Sequence, residues 1–363
     1  MEMAPVRIAQ IVGMVQMSGV DAVVMNYYRH IDKSKFQFDY FMDGLEKTPI
    51  DDEILTMGGR IYKLPPYQKD MKKNLAVFRS IINENDYKII HSHMNTLSVF
   101  WLREAKKAGV PVRIAHSHST AGKGEGMRNI MKYMLRPLSK IYANNYCACS
   151  NYAGRWLFGK NVNIIRNAIK ADDFIYNEIL RKEVKDEFGL TDEIVIGHVG
   201  RFMYQKNHDF LVNIFCEIEK LNKNVKLFLV GEGPLRSKIE EQIKEKKLEN
   251  KVIFTGTRTD VTRLLQGMDC FVLPSHYEGL GLSAVEAQAA GLPCFISDKV
   301  PDEAMLNEQC WKYDLKLPSK VWAKEILEKT GLHQRKSNIE EIVKKGYDIK
   351  VEAGKLERYY EEL

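Results

Sequence analysis

The chain has 363 residues, of which 45% are hydrophobic and 28% charged, and its formal net charge is +6. Because one hydrophobic core rarely serves so many residues, we expect two globular domains. No apolar run approaches the roughly 20 residues of a spanning helix, and residues 1–13 lack the basic and apolar regions of a secretory signal. These features argue against a membrane-spanning or secreted protein and predict a cytoplasmic one.

Six cysteines are scattered along the chain, and the closest pair, Cys147 and Cys149, would alternate across a strand. This spacing favours small buried hydrophobic side chains over metal binding or redox chemistry. We therefore expect no disulfide framework and no cysteine-bound metal.

Short β-branched runs alternate with amphipathic segments in the first half of the chain. Helices are predicted at 20–31, 71–84 and 97–108. Strands are predicted at 6–12, 36–42, 59–64, 88–94 and 112–118. The alternation indicates a doubly wound, largely parallel α/β sheet.

The same alternation starts afresh after a stretch near 166–190 that begins "RNAIKADDFIYN" and shows no clean period. Strands are predicted at 194–201, 225–233, 251–257, 270–275 and 293–297, and helices at 208–221, 234–246, 260–267 and 283–290. Two Rossmann-like halves therefore follow one another. Ligands of such sheets bind beyond the carboxyl ends of the strands, so functional residues are expected in the loops that follow them.

Two glycine-containing loops are candidates for anion binding. Gly19 stands just before the first predicted helix, where a missing side chain lets backbone amides approach an anion, although a glycine there is often structural. "VGEGPLRSKIEE" has Gly231 and Gly233 but carries Arg236 where the third glycine of a dinucleotide fingerprint would stand. The second loop is therefore predicted to be a tight turn, which disfavours an NAD-dependent enzyme.

The loop "VGRFMYQKNHDF" carries two cations directly after a predicted strand and before a helix. Arg201 and Lys206 can both reach into the crevice at the sheet edge. Two fixed cations suit a diphosphate, whose leaving oxygen gains charge as its bond breaks. The alternative is a pair of solvated loop charges.

The segment "HYEGLGLSAVEAQAAGLP" places a loop and a helix after a buried strand. The helix stops at Gly291, with Pro293 just beyond. Glu278 lies in the loop and can face a sugar, whereas Glu286 lies about one turn into the helix and can accept hydrogen bonds from a ribose. The amides of Gly281, Leu282 and Ser283 form the helix N-terminus, which attracts anions.

These motifs together resemble the retaining GT-B glycosyltransferases of the large GT4 group, over roughly residues 6–300. The resemblance rests on the E-x7-E of "EGLGLSAVE", on "GR" with a lysine five residues on, and on "VGEGP" and "FTGTRTDV". "GVDAVVMNYYRHIDKSKFQFDYF" and "VRIAHSHST" are similar to the bacterial exopolysaccharide and capsule branch. The implied fold is α/β of the GT-B type, with two Rossmann-like domains facing a central cleft. They would span 1–170, on which a helix at about 345–363 packs back, and 171–344.

The resemblance implies a UDP- or GDP-sugar donor, bound mainly by the second domain, and a glycan or lipid-diphosphate-linked acceptor. It assigns Arg201 and Lys206 to the diphosphate, Glu286 to the ribose and Glu278 to the donor sugar. The amides of Gly281, Leu282 and Ser283, together with Gly19, would complete the phosphate site, and Arg258 in "GTRTD" would lie beside the nucleobase. Family members retain the anomeric configuration, commonly through front-face attack in which the leaving phosphate takes the acceptor's proton.

No D-x-D motif, the usual metal holder of the other large glycosyltransferase fold, occurs in the chain. We therefore expect a metal-independent enzyme without a cofactor. Two departures from the family pattern stand near the predicted donor site. Asn207 replaces a frequent glycine, and "MSG" replaces the commoner Gly-Gly in the first loop.

"HSHST" offers two histidines for the place that family members set beside the donor sugar. Strand alternation turns His116 and His118 to one face, and His118 is preferred because it is nearest the end of the strand. A purely structural histidine is the alternative, and it is favoured more strongly for His91 and His93.

A basic, amphipathic segment is predicted at 123–142. Residues 103–140 hold nine Lys or Arg against two Asp or Glu, a local excess of seven. The apolar stripe on the helix comprises Met127, Ile130, Met134, Leu138 and Ile141, beside Lys123, Arg128, Lys132, Arg136 and Lys140. Such a segment could lie on an anionic membrane, as a peripheral contact near a lipid-diphosphate acceptor, or it could be a core helix with a basic rim.

The sequence therefore predicts a glycosyltransferase of cell-surface polysaccharide synthesis, with no nucleic-acid partner. Two other classes remain open. One is a non-catalytic sugar-nucleotide-binding partner of another transferase, which would be expected to lack one of the charged site residues. The other is a sugar-nucleotide epimerase on the same fold, which would turn over its substrate without an acceptor.

Overall fold

The computed structural model describes residues 4–15, 19–120, 127–160, 162–331 and 335–363. The chain forms two compact units. The first contains the described residues up to Ile169 together with Gly346–Leu363, and the second contains the described residues of Lys170–Lys345.

The first unit is built on one parallel sheet of seven strands. They are β1 (Val6–Gly13), β2 (Phe36–Asp43), β3 (Arg60–Leu64), β4 (Ile89–Ser92), β5 (Val112–Ser117), β6 (Asn145–Ala148) and β7 (Asn163–Ile164). Their order in the sheet is β3-β2-β1-β4-β5-β6-β7. The helices that connect them are α1 (Val20–His30), α2 (Asp51–Thr56), α3 (Met71–Glu84), α4 (Ser98–Lys107), α5 (Met127–Tyr142) and α6 (Asn151–Phe158).

The second unit repeats this plan with six parallel strands. They are β8 (Ile194–Val199), β9 (Val225–Val230), β10 (Val252–Phe254), β11 (Cys270–Leu273), β12 (Cys294–Ser297) and β13 (Cys310–Tyr313). Their order, β10-β9-β8-β11-β12-β13, is that of a dinucleotide-binding Rossmann sheet. Its helices are α7 (Glu178–Glu187), α8 (His208–Leu221), α9 (Arg236–Glu245), α10 (Val261–Gln266), α11 (Leu282–Ala289), α12 (Ser319–Gly331) and α13 (Ile339–Lys344). The last helix, α14 (Ile349–Glu361), belongs to the first unit.

The strands are buried because helices cover both faces of each sheet, which is why they read as nearly continuous apolar runs. All eight residues of β2 are buried. Its one mid-strand charge, Asp39, is compensated by an ion pair with Arg7 on β1 and by a hydrogen bond of 2.7 Å from the Tyr87 hydroxyl. The predicted α/β fold with two Rossmann-like sheets is thus confirmed.

The long amphipathic helices are the elements that the sequence predicts best. α3 and α8 have the predicted bounds, 71–84 and 208–221. Some strands are shorter than predicted. The strand predicted at 225–233 ends at Val230, because glycine residues continue the pattern after the chain has left the sheet. The aperiodic stretch predicted near 166–190 contains α7, and the short strands β7 and β13 had no prediction.

Candidate active site

Most of the predicted donor-binding residues follow two strands that are neighbours at the point where the strand order reverses. β8 pairs with both β9 and β11, so the loops after β8 and β11 flank the topological switch point of the second sheet. Arg201 and Lys206 lie in the first loop, and Glu278 lies in the second. This is the place where open α/β sheets bind ligands.

The glycine turn after β9 supports the loop after β8 by close backbone contact. Gly231 has φ +136°, and a Cβ on it would lie 2.3 Å from the carbonyl oxygen of Gly200. A Cβ on Gly233 would lie 2.5 Å from the carbonyl oxygen of Phe202. These two glycines therefore have a structural role at the base of the cation-bearing loop, as the prediction of a tight turn requires.

Lys206 ends a short 3₁₀ turn, Tyr204–Lys206, and the next residue reverses the chain into α8. Asn207 adopts the left-handed conformation, with φ 56° and ψ 46°, and its Nδ2 donates to the Pro274 carbonyl at 3.0 Å. Apart from glycine, few residues tolerate the left-handed conformation as well as asparagine does. The replacement of the family's frequent glycine therefore preserves the turn and adds a bond to the loop after β11.

Glu278 is buried and hydrogen-bonded at both carboxylate oxygens. Oε1 accepts from Lys206 Nζ at 2.7 Å and from Ser275 Oγ at 2.7 Å, and Oε2 accepts from Gln205 Nε2 at 3.0 Å. The Lys206 side chain is also largely buried, with 16% of its area exposed. The two residues that sequence analysis assigned to sugar and diphosphate thus form one ion pair.

Glu286 lies in the middle of α11 and is partly buried. Among the described residues, its carboxylate has no hydrogen-bond partner. Desolvation by burial raises its pKa from 4.5 to about 7, and the positive charge of Lys206 acts in the opposite direction. A carboxylate whose pKa is raised by burial at a sheet edge is typical of functional sites.

The start of α11 presents backbone amides without intrahelical acceptors, close in sequence to these side chains. Gly281 precedes the helix with φ +93°, which only glycine adopts at little cost, and a Cβ there would come within 3.1 Å of Val300. The first amides of any helix lack intrahelical acceptors, and those of Leu282 and Ser283 are of this kind. The Ser283 hydroxyl is itself buried without a partner in the described part of the chain.

The two predicted arginines differ in their surroundings. Arg201 is exposed at the end of β8, in the same loop as Lys206. Arg258 is held by two hydrogen bonds of 2.8 Å from its guanidinium to Asp260 and by a longer one of 3.3 Å to Glu187 on α7. Its bond to Asp260 raises the pKa of Arg258 above its ordinary value. Within the second unit Arg258 therefore ties its loop to α7, and its predicted place beside a nucleobase stays a prediction.

The predicted histidine site lies in the first unit, at the carboxyl ends of β4 and β5. His116 and His118 point to one face of the sheet, with ring centroids 3.9 Å apart and nearly parallel rings. The His118 amide donates to Asn95 Oδ1 at 2.6 Å, which fixes the end of the strand. His91 and His93 stack beside them from β4, so all four histidines form one buried cluster.

Gly19 immediately precedes α1 with φ +69°, is exposed, and has no atom within 4 Å of the position of a Cβ. Its predicted role in phosphate binding stays a prediction. The two residues before it in the "MSG" motif lie outside the described residues.

Comparison with known proteins assigns both units to glycosyltransferases. Residues 17–173 match the model of Glycosyltransferase Family 4, and residues 181–308 match that of Glycosyl transferases group 1. The chain is 34% identical to EpsF of Bacillus subtilis (strain 168), which carries the name of a glycosyltransferase, over 98% of this chain and 96% of the relative. This chain is a GT4-type glycosyltransferase.

Two further comparisons concern an enzyme with a specific name and a solved structure with a bound sugar nucleotide. The chain is 25% identical to an Escherichia coli enzyme named UDP-Gal:alpha-D-GlcNAc-diphosphoundecaprenol alpha-1,3-galactosyltransferase, over 81% of this chain and 79% of the relative. The crystal structure of Anabaena Alr3699/HepE in complex with UDP-glucose superposes with a TM-score of 0.82 at 17% identity, covering 98% of this chain and 100% of that one. The second comparison establishes the GT-B fold.

In this GT4-type enzyme, several residues that contact the predicted ones within each unit escaped sequence analysis. Gln205 and Ser275 bind the Glu278 carboxylate, and Gln10 and Tyr360 contact the histidine cluster. Ser275 stands three residues before Glu278 and Gln205 directly precedes Lys206, so adjacency to predicted residues could have found both. Tyr360 had no such signal, because it is 269 positions away from the histidine that it contacts.

Proposed function

We propose that this glycosyltransferase moves a sugar, with retention of its anomeric configuration, from a nucleotide donor to a glycan or lipid-diphosphate-linked acceptor in exopolysaccharide or capsule synthesis. The observation that carries the proposal is the position of Lys206, which pairs with Glu278 and acts electrostatically on Glu286 at the switch point of the second sheet. A cation that acts on both predicted carboxylates supports the proposal, since a donor carries its diphosphate between its sugar and its ribose.

The site can supply positive charge from the protein alone. Lys206, Arg201 and the first amides of α11 would stabilise the charge that grows on the leaving diphosphate. We therefore expect the reaction to need no metal ion. The oxygen that leaves with the diphosphate would take the proton of the attacking hydroxyl, as the resemblance to retaining enzymes implies.

The two carboxylates offer different hydrogen-bonding capacity to a donor. Glu286 has both oxygens open, which suits the two neighbouring hydroxyls of a ribose. Glu278 already accepts three hydrogen bonds, so a sugar hydroxyl would use its remaining lone pairs while Lys206 shifts toward the phosphate. Glu278 and Lys206 would thus separate in part when the donor binds.

The relatives support a uridine donor and a lipid-linked acceptor. The name of the Escherichia coli enzyme specifies UDP-galactose and a diphosphoundecaprenol-linked sugar, and the Anabaena structure contains UDP-glucose. We propose a UDP-sugar as the first donor to test, with a GDP-sugar as the alternative. The sugar and the linkage formed are left to the experiment.

Helix α5 supports a peripheral contact with an anionic membrane. Its apolar stripe faces outward, since Met127, Met134 and Ile130 are 78%, 70% and 57% exposed. The alternative of a core helix with a basic rim is therefore wrong for this stripe. Lys140 is exposed on the same helix, whereas Lys123 and the side chain of Arg128 lie outside the described residues. None of the helices that the structure describes is long and apolar enough to cross a bilayer.

A two-step assay tests the proposed function. UDP-, GDP- and ADP-sugars are first screened for stabilisation of the protein against heat, and the best binder is then offered with polyprenyl-diphosphate-linked sugars as acceptors. We expect transfer, with an unchanged anomeric configuration in the product by NMR. Donor binding without transfer to any acceptor would favour a non-catalytic partner, isomerised donor without an acceptor would favour an epimerase, and an inverted product would refute retention.

A further inference from the structure

Two His-Ser-His sequences lie side by side in the first unit. His91 and His93 belong to β4 and its end, and His116 and His118 to the neighbouring β5 and its end. Because side chains alternate along a strand, all four imidazoles emerge on one face. All four are buried, with 1%, 6%, 1% and 8% of their areas exposed in chain order.

The four rings and two further side chains form one continuous chain of hydrogen bonds, which we call the histidine network. On one side, His118 Nε2 lies 2.9 Å from His93 Nδ1, and His93 Nε2 lies 2.8 Å from Gln10 Oε1. On the other side, His116 Nδ1 lies 3.0 Å from His91 Nε2, and His91 Nδ1 lies 2.8 Å from the hydroxyl of Tyr360. Gln10 Nε2 joins the two sides by donating to that hydroxyl at 3.3 Å.

The histidine network ends in two buried nitrogens, His118 Nδ1 and His116 Nε2. Neither has a hydrogen-bond partner among the described residues. Desolvation lowers the pKa of His91 and of His118 from 6.5 to about 3, and it also lowers the pKa of His93 and of His116. The rings are therefore neutral, and each has one donor nitrogen and one acceptor nitrogen.

The Gln10 amide fixes the direction of every bond in the histidine network. Its Oε1 can only accept, so His93 carries its proton on Nε2 and accepts on Nδ1 from His118 Nε2. Its Nε2 can only donate, so the Tyr360 hydroxyl accepts that bond; the hydroxyl's own proton goes to His91 Nδ1, its other hydrogen-bond partner among the described residues, and His91 Nε2 donates to His116 Nδ1. All four histidines are then Nε2–H tautomers, and the two ends differ: His118 offers a lone pair and His116 offers an N–H.

We propose that Gln10 and Tyr360 are positioning residues which hold the four histidines in one common tautomer and so determine which hydrogen-bonding group His118 presents. An amide turned by half a rotation would reverse all bonds and make all four rings Nδ1–H tautomers, so the coupling holds in either direction. Tyr360 acts from α14, the last helix of the first unit, although His118 directly follows β5. The consequence for sugar transfer rests on the proposed function, whereas the common tautomer does not.

The direct test is nitrogen-15 NMR of the histidine side chains in the full-length protein, because two-bond couplings to ring protons distinguish the two neutral tautomers. We expect four Nε2–H histidines in the unmodified protein. Tyr360→Phe removes only the hydroxyl, which is the partner of both His91 Nδ1 and the Gln10 amide, so the amide can turn and all four histidines should become mixtures of tautomers. Tyr359→Phe is the matched control, since its hydroxyl contacts Cys147 Sγ at 3.3 Å outside the histidine network and should leave all four signals unchanged.

Two NMR results would overturn the proposal: different tautomers among the four histidines of the unmodified protein, or a folded Tyr360→Phe variant that keeps the original four signals. A stoichiometric zinc ion bound by His91, His93 and His116 would also overturn it, and the candidate ligand atoms of these three residues lie within 4.8 Å of one another. Zinc would need the lone pairs that the network uses for hydrogen bonds.

If transfer is measurable, Tyr360→Phe should lower kcat about tenfold, as the loss of an orienting partner does elsewhere, and Tyr359→Phe should not. If the protein transfers no sugar but its four histidines are Nε2–H tautomers, the proposed function is refuted and the common tautomer is confirmed.

Discussion

Lys206 and Glu278 come from loops after different strands, 72 positions apart, and their charged atoms lie 2.7 Å from each other. Both side chains are largely withdrawn from water, with 16% and 7% of their areas exposed. Removing one partner from such a pair leaves an uncompensated charge in protein surroundings, which costs far more than losing a surface ion pair. The pair therefore has a structural role as well as its proposed role toward the donor.

Neutralising either partner should affect stability and transfer differently. We expect Lys206→Met and Glu278→Gln each to lower the free energy of unfolding by up to about 3 kcal/mol. The double variant should regain part of that loss, because no lone charge remains, and yet transfer should fall by roughly a hundredfold or more in all three. Urea unfolding and initial rates measure the two effects.

The control for this cycle is Lys223→Met, whose side chain is 73% exposed and pairs with Glu219 near the end of α8. Its stability should change by less than about 0.5 kcal/mol, with no change in rate. A Lys206→Met variant that unfolds normally and transfers sugar at the original rate would remove Lys206 from the proposed site.

Glu286 should make both stability and donor binding depend on pH. Its pKa is about 7 in the folded chain against 4.5 ordinarily, so the folded state holds a proton that the unfolded state releases between these values. Its contribution to the free energy of unfolding is therefore fully present below about pH 4.5 and falls as pH rises to about 7. A ribose that donates hydrogen bonds to the carboxylate favours the ionised form, so nucleotide binding should release protons near pH 6 and strengthen as pH rises.

Calorimetric titrations with UDP in buffers of different ionisation enthalpy measure this release. Glu286→Gln should abolish it and bind UDP more weakly at neutral pH. Equal proton release by the variant and the original protein would show that another group titrates.

Asn207 allows a test of the turn that positions Lys206. Asn207→Ala should lower the free energy of unfolding by about 1–2 kcal/mol, because alanine is strained in the left-handed conformation and the bond to Pro274 is lost. Asn207→Gly loses the bond but not the conformation, so its effect should be smaller. Thermal unfolding of both variants decides the order, and an alanine variant as stable as the glycine variant would contradict it.

The exposed stripe of α5 should bind anionic lipid. We expect the protein to sediment with vesicles that contain phosphatidylglycerol and much less with phosphatidylcholine alone, and Met134→Glu should weaken sedimentation. Leu55→Glu is a suitable control, since Leu55 is 55% exposed on α2 of the same unit. Equal loss of binding in both variants would show a general charge effect rather than a surface formed by α5.

Chelation tests the expected metal independence. Since Lys206, Arg201 and the amides of α11 are proposed to stabilise the leaving diphosphate, EDTA should leave the transfer rate unchanged within about twofold. A loss that Mg²⁺ or Mn²⁺ restores would show that the protein's own cations do not suffice.

Sequence patterns predicted the helices and strands best where a single local feature determines the element. The amphipathic period fixed α3 and α8, and the strand–loop–helix order around Glu278 and Glu286 was read correctly from apolar runs and glycines. Short strands such as β7 escaped because two residues carry no period. The pairing of Lys206 with Glu278 also escaped, because the sheet order that brings β8 beside β11 is not written in either loop.

By itself, the sequence determined which residue types follow which strand, and hence the fold, the enzyme class and the candidate donor residues. Only the tertiary structure decided how these groups use their hydrogen-bonding capacity: Glu278 shares its charge with Lys206, Arg258 is tied to Asp260, and Tyr360 reaches His91 from the other end of the first unit's chain. The physical reason is that periodicity records which side chains avoid water. The partner that a buried polar atom finds depends on distances across the sheet, which only the packed chain sets.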